Sequence, residues 1–139
     1  MKIPRKLVER VRARAAHRCE YCRASEWLTG QYHTVDHILP RAQDGLTILD
    51  NLCLACAPCN AFKHDRTKAI DPESGGFATL FNPRTQDWRD HFAWSRDGLT
   101  IIGMTASGRA TIAALRMNRS LAVAARTIWV SVNQHPPRD

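Results

Sequence analysis

Two Cys-x-x-Cys pairs, Cys19-Glu-Tyr-Cys22 and Cys56-Ala-Pro-Cys59, constrain this chain more than any other feature. A knuckle of this kind presents two thiolates at about the separation a tetrahedral Zn²⁺ requires, and a second knuckle closes the shell. A zinc so held has no open position, so it staples a fold and activates no water. A redox pair or buried free thiols are the competing readings. Zinc is favoured because a redox pair needs no second pair beside it. Cys53 is left over and reads as a small apolar residue filling core space.

The pairs bracket further chemistry. Val35-Asp36-His37-Ile38 lies between them, Asn51 stands just before the second pair, and Asn60 and Lys63 follow it. Asp36 is a candidate metal ligand and His37 a candidate base. Being adjacent, they would point to opposite faces of an ideal strand, so a shared site needs a kink or a phosphate at the strand edge. Phosphodiester hydrolysis needs a nucleophile at neutral pH, which imidazole with a pKa near 6.5 can generate. It also needs a counter-charge at phosphorus, which a divalent cation supplies. Lys63 and Arg41 are candidates to hold flanking phosphates, with solvated surface as the alternative for both.

The surrounding pattern places these residues. Leu7, Val8, Val11 and Ala15 recur at helical spacing, predicting a helix over 5–18 with Pro4 at its start. Its other positions carry Arg5, Lys6, Arg10, Arg12, Arg14 and Arg18, a solvated face or a phosphate-facing one. Strands are expected over 32–39, ended by Pro40, and over 47–54, followed by a helix from Cys56 with Pro58 in its first turn. Residues 71–76 are rich in Pro, Ser and Gly and mark the expected boundary between a domain at 1–70 and an extension at 71–139. There, 91–95 and 99–103 read as a hairpin around Arg96-Asp97-Gly98, and 107–117 and 119–130 as helices. Core candidates on those helices are Ile112, Leu115, Leu121, Ala124, Ala125 and Ile128. Arg109, Arg116, Arg119 and Arg126 are candidate DNA contacts, and Trp88, His91, Trp94 and Trp129 are either core or base-stacking residues.

The chain carries 20 Lys and Arg against 13 Asp and Glu, a formal charge of +7. Four thiolates on one Zn²⁺ would lower this by two, so a polyanionic partner remains plausible, nucleic acid first. No apolar run approaches the roughly 20 residues that cross a bilayer, and no apolar segment follows the basic N-terminus. A cytoplasmic protein with no membrane partner is the expectation, and reduced thiols there favour metal over disulfides.

Taken together, the order Cys-x-x-Cys, Asp-His-Ile-x-Pro, Asn-Leu, Cys-x-x-Cys-Asn-x-x-Lys resembles the HNH endonucleases, in their zinc-stapled form. It is carried by Cys19, Cys22, Asp36, His37, Ile38, Pro40, Asn51, Leu52, Cys56, Cys59, Asn60 and Lys63, about a third of the chain. The resemblance implies an α+β fold: a ββα-metal finger with a four-cysteine structural zinc, an N-terminal helix, and a C-terminal hairpin-plus-helices extension. It implies His37 as general base, Asn51 holding the loop that carries it, and Asp36 and Asn60 on one divalent cation. The family's third signature position is often His. Here it is Asn60, whose neutral oxygen tilts the site toward a hard ion, Mg²⁺ or Mn²⁺. The implied activity is metal-dependent hydrolysis of DNA, with 5′-phosphate and 3′-hydroxyl ends and with RNA an open alternative. One site per chain makes a nick the simplest product and a dimer the simplest route to a double-strand break. The rival readings are a non-catalytic zinc module that binds nucleic acid and a structural or regulatory subunit.

Overall fold

A computed structural model describes residues 2–138. The chain divides into two compact units. One runs to Thr67 and takes in Asn82–Gln86; the other comprises Lys68–Phe81 and the residues from Asp87 on.

In the first unit, helix α1 spans Arg5–Arg14 and is capped by Pro4, whose carbonyl accepts the N–H groups of Leu7 and Val8. Pro4 therefore sits just before the first helical residue rather than in it. The helix stops short of the expected residue 18 because Ala16 and His17 take positive φ, at 53° and 60°. That sharp turn delivers the chain into the first knuckle, where Cys19 N–H donates to Ala24 O and Arg23 N–H to Cys19 O, both at 2.9 Å. A short helix α2, Glu26–Thr29, is capped by Ser25 and closed by Gly30 in the left-handed conformation.

Strands β1, Thr34–His37, and β2, Leu52–Ala55, pair antiparallel with Asp36 opposite Cys53 and His37 opposite Leu52. The second strand is shorter than expected because Leu49–Asn51 forms a 3-10 turn before it. Helix α3, Ala57–Lys63, follows with Pro58 in its first turn, giving strand, loop, strand, helix. The core beneath β2 is Val11, Ala15, Leu52 and Leu54, with Ile3, Leu7, Val35 and Leu49 packed around it. The apolar stripe of α1 thus buries against one face of the β1–β2 pair, and α3 meets β1 through the Lys63 contact described below.

The second unit holds two hairpins. Residues 71–76, expected as a domain break, instead form the turn between β3, Lys68–Ile70, and β4, Phe77–Thr79. Helix α4, Trp88–His91, leads into β5, Phe92–Trp94, which pairs with β6, Ile101–Gly103, as the expected hairpin. Helix α5, Ala106–Leu115, packs on both hairpins, and α6, Ser120–Ser131, completes the chain's helices. Arg116 in the left-handed conformation ends α5. Leu115 is buried, but Leu121 and Ile128, expected in the core, lie 80% and 65% exposed on α6.

Trp88, His91, Trp94 and Trp129, read as core or base-stacking residues, all make ring or hydrogen-bond contacts within this unit. Trp88 is buried against Phe92 and Trp94 at centroid distances of 5.0 and 5.6 Å, and Trp94 and Trp129 both meet the ring of His135. His91 turns its Nδ1 to Thr105 Oγ1 at 2.7 Å. Two of the arginines proposed for DNA are likewise internal ties. Arg109 grips Asp71 through two 3.0 Å bonds, while buried Arg126 donates to Leu99 O, Met117 O and Asn118 Oδ1.

Candidate functional site

The four cysteines come together as the spacing requires. The Sγ atoms of Cys19, Cys22, Cys56 and Cys59 all lie within 4.8 Å of one another, and all four residues are buried. Cys22 Sγ and Cys56 Sγ stand 3.6 Å apart, against about 3.8 Å for two thiolates on a tetrahedral Zn²⁺ at 2.3 Å. Cys22 N–H also points at Cys19 Sγ at 3.4 Å, a contact that supports a thiolate. The donor set and its spacing fit a structural metal ion.

The residues inside the first knuckle were not singled out from sequence, yet they weld it to β2. Glu20 is buried; its N–H donates to Leu54 O, its Oε2 accepts Leu54 N–H at 2.8 Å, and Arg84 donates to its Oε1. Burial pushes the Glu20 carboxyl above its usual range against these partners. Fully buried Tyr21 lies against Cys53, whose thiol donates to the phenol oxygen at 3.6 Å. Burial also pushes the Cys53 thiol well up, so it stays protonated as core.

At the other end of the strand pair, His37 is partly buried and its Nε2 lies 2.9 Å from Thr47 Oγ1. Burial holds its imidazole below the ordinary range. Asp36 pulls the other way, while Arg41 and Lys63 add to the lowering. The ring is therefore neutral at pH 7, with Nδ1 clear of the Thr47 contact.

Asn51 closes the loop beyond His37. Its Oδ1 accepts Leu39 N–H at 2.8 Å, and its Nδ2 donates to Leu39 O and Leu46 O at 3.0 and 2.8 Å. Ile38 N–H completes the clip on Asn51 O. The loop is folded so tightly that a Cβ on Gly45 would sit 1.7 Å from Leu39 O.

Asp36 faces α3. Its Oδ2 is buried, lacks a well-directed hydrogen bond, and lies 3.0 Å from Lys63 Nζ. Burial raises the Asp36 carboxyl, and the Lys63 ammonium works against that rise. Lys63, expected at a phosphate, is 2% exposed and spends its charge inward on Asp36 and His37 O. Arg41, by contrast, is exposed. His64 pairs with Asp65 at the surface.

Asn60 precedes Lys63 by three residues, so both lie on the same face of α3. A carboxylate oxygen and a neutral amide oxygen are donors of the kind a hard divalent cation takes. Among the described residues, the four-cysteine group is the only cluster of three or more His, Cys, Asp or Glu that could hold a metal.

Residues 19–66 match the family model described as HNH endonuclease, and that stretch spans both knuckles, the strand pair and α3. The fold and the four-cysteine cluster fit the zinc-stapled form of that domain, so the chain carries an HNH domain over about a third of its length. No curated protein and no solved structure matches the chain. The family points to a nuclease or nucleic-acid-binding role. No helix among the described residues is long and apolar enough to cross a membrane.

Proposed function

We propose that this protein is a metal-dependent endonuclease that hydrolyses DNA phosphodiester bonds, with Zn²⁺ on Cys19, Cys22, Cys56 and Cys59 as its structural staple. The observation that carries the reading is the His37 imidazole, oriented through Nε2 by Thr47 Oγ1 and held by burial below its ordinary range, with Asp36 next to it in sequence facing Lys63 of α3. With Nε2 as the protonated nitrogen donating to Thr47, Nδ1 presents a lone pair that takes a proton from the attacking water. Asn51 holds the Leu39–Leu46 loop and so fixes where that imidazole stands. Arg41, exposed beyond the strand, meets a flanking phosphate as a positive charge.

Asp36 and Asn60 would hold one Mg²⁺ or Mn²⁺. When bound, such an ion polarises the phosphoryl oxygen and stabilises the leaving oxygen. Lys63 neutralises Asp36 in the meantime and keeps its carboxylate aimed at α3. We place the protein in the cytoplasm, where its thiols stay reduced.

Incubation of supercoiled plasmid with the protein and either Mg²⁺ or Mn²⁺ tests the reading. Nicked circles should accumulate with the cation and not without it. The Lys63 ammonium against Asp36 is the one observation that favours a binding-only module. Retention of DNA at low salt with no cutting in any divalent metal would decide for that rival.

A further inference from the structure

The first unit has a second feature that the nuclease chemistry does not use. His17, Glu26, Trp27, Gly30, Gln31 and Tyr32 line an open pocket of about 320 Å³. That is near the lower end of the range for ligand pockets, roughly 300–1,000 Å³, and suits one planar ring system. Two large aromatics stand at it almost fully solvated: Trp27 is 78% exposed and Tyr32 83%. Neither contributes to the core, and water is a poor environment for either ring.

The pocket is nonetheless held rigidly from beneath. The buried Glu26 carboxylate accepts Arg12 Nε at 3.0 Å and His33 N–H at 2.6 Å, and it meets His17 Nδ1 at 2.8 Å. Burial would raise Glu26, but those three partners outweigh it and keep the carboxyl low. Arg12 reaches on to His33 O at 3.1 Å and lies 4.9 Å from the centre of the Tyr32 ring. His17 rests against Trp27 at 5.2 Å, and Ser25 Oγ fixes the Trp27 backbone. One acid thus sets the positions of both aromatics.

Charge selects the occupant. Glu26 is the only acid among the lining residues, and Arg12 and His17 already answer it, so a cationic ligand would find no counter-charge. The chain as a whole carries a formal charge of +7, which favours a polyanion. Tyr32 also lies five residues before His37 on an extended path, so at most about 17 Å separates them, roughly five stacked nucleotides along a strand.

We propose that this pocket takes one unpaired nucleobase of the nucleic-acid strand, stacked on Trp27 and Tyr32. The inference rests on the nucleic-acid reading above and extends it. A chain so equipped engages strands with an exposed base, such as single strands, loops and duplex ends, ahead of uninterrupted duplex.

The test measures binding of the full-length protein, without added divalent cation, to a fluorescein-labelled eight-residue oligothymidylate. A second probe has the same backbone with an abasic site at every position. Trp27→Ala and Tyr32→Ala should each weaken binding of the intact strand roughly five- to a hundredfold, the range for loss of one stacked base. Trp27→Phe should restore most of it, and the abasic probe should bind wild type and both alanine variants equally weakly.

Tyr32 is too exposed for its removal to unfold the protein, so that variant remains informative if Trp27→Ala misfolds. Unchanged affinity in Tyr32→Ala, or equal affinity of wild type for both probes, would overturn the proposal and leave this face to another partner. Nicking of plasmid by a protein indifferent to bases would sink the pocket and leave the nuclease standing. Base-dependent binding without nicking in any metal would do the reverse.

Discussion

At the residue scale, the proposed chemistry turns on what touches His37. Thr47 is the residue that sequence reasoning passed over, because a threonine ten positions away carries no motif. Replacing it by Val keeps the shape and removes the oxygen at Nε2. Thr47→Val should slow nicking by about tenfold, the cost of roughly 1.4 kcal/mol in orienting the base, with the DNA concentration for half-maximal rate unchanged. Single-turnover kinetics would check it. The lowered pKa of His37 sets a pH signature as well. A general base works when unprotonated, so the rate should fall as pH drops through the depressed value, with the acid limb centred below the ordinary imidazole range. A rate against pH curve whose acid limb lies above 6.5 would contradict this assignment.

At the element scale, the site depends on the loop between β1 and β2. The family pattern implies Asn51 as the residue holding the loop, and its side chain makes three bonds to Leu39 and Leu46. Gly45 meets a steric need there. A methyl there would collide with the backbone of Leu39 and Pro40, which cannot swing aside as a side chain could. Gly45→Ala should therefore displace the loop and lower nicking at least tenfold, while the purified variant keeps its metal content.

The helix and strand types around the site were readable because each has a local cause: α1 from its apolar stripe, α3 from Pro58, the strand limit from Pro40. Their ends were not, because Ala16 and His17 adopt a conformation no periodicity reveals. The aromatic pocket was equally hidden. It exists only because Glu26 gathers Arg12, His17 and the His33 backbone from three separate segments.

At the scale of the whole molecule, the two units are stabilised differently. The first has a small core of Val11, Ala15, Leu52 and Leu54 and a buried four-thiol cluster suited to a structural metal, whose binding would add to its folding free energy. Removing the metal with a chelator should unfold this unit, seen as loss of its circular dichroism and gain of five reactive thiols, Cys53 among them.

The second unit relies on packing and on the Asp71–Arg109 pair. Arg109 holds the Asp71 carboxyl far below the usual range, so the pair stabilises at pH values above about 4 and is lost as pH falls through the depressed value. Asp71→Asn should lower the melting temperature at pH 7 and flatten its fall in acid, as read by calorimetry. Residues 71–76 read as a break in the sequence because Pro, Ser and Gly mark a tight turn and a linker alike. Only the pairing of Lys68–Ile70 with Phe77–Thr79 tells them apart. The exposed Leu121 and Ile128 have a similar cause: α6 is apolar around most of its circumference, so sequence could not say which side faces inward.

The central claim is that a zinc-stapled finger presents His37 as the base that activates water against a phosphodiester. Nicking of supercoiled plasmid by His37→Ala and wild type, side by side in Mg²⁺ and in Mn²⁺, addresses it most directly. The variant should keep its zinc and its affinity for DNA while cutting about 10²- to 10⁴-fold more slowly. Equal rates for the two proteins would contradict the account.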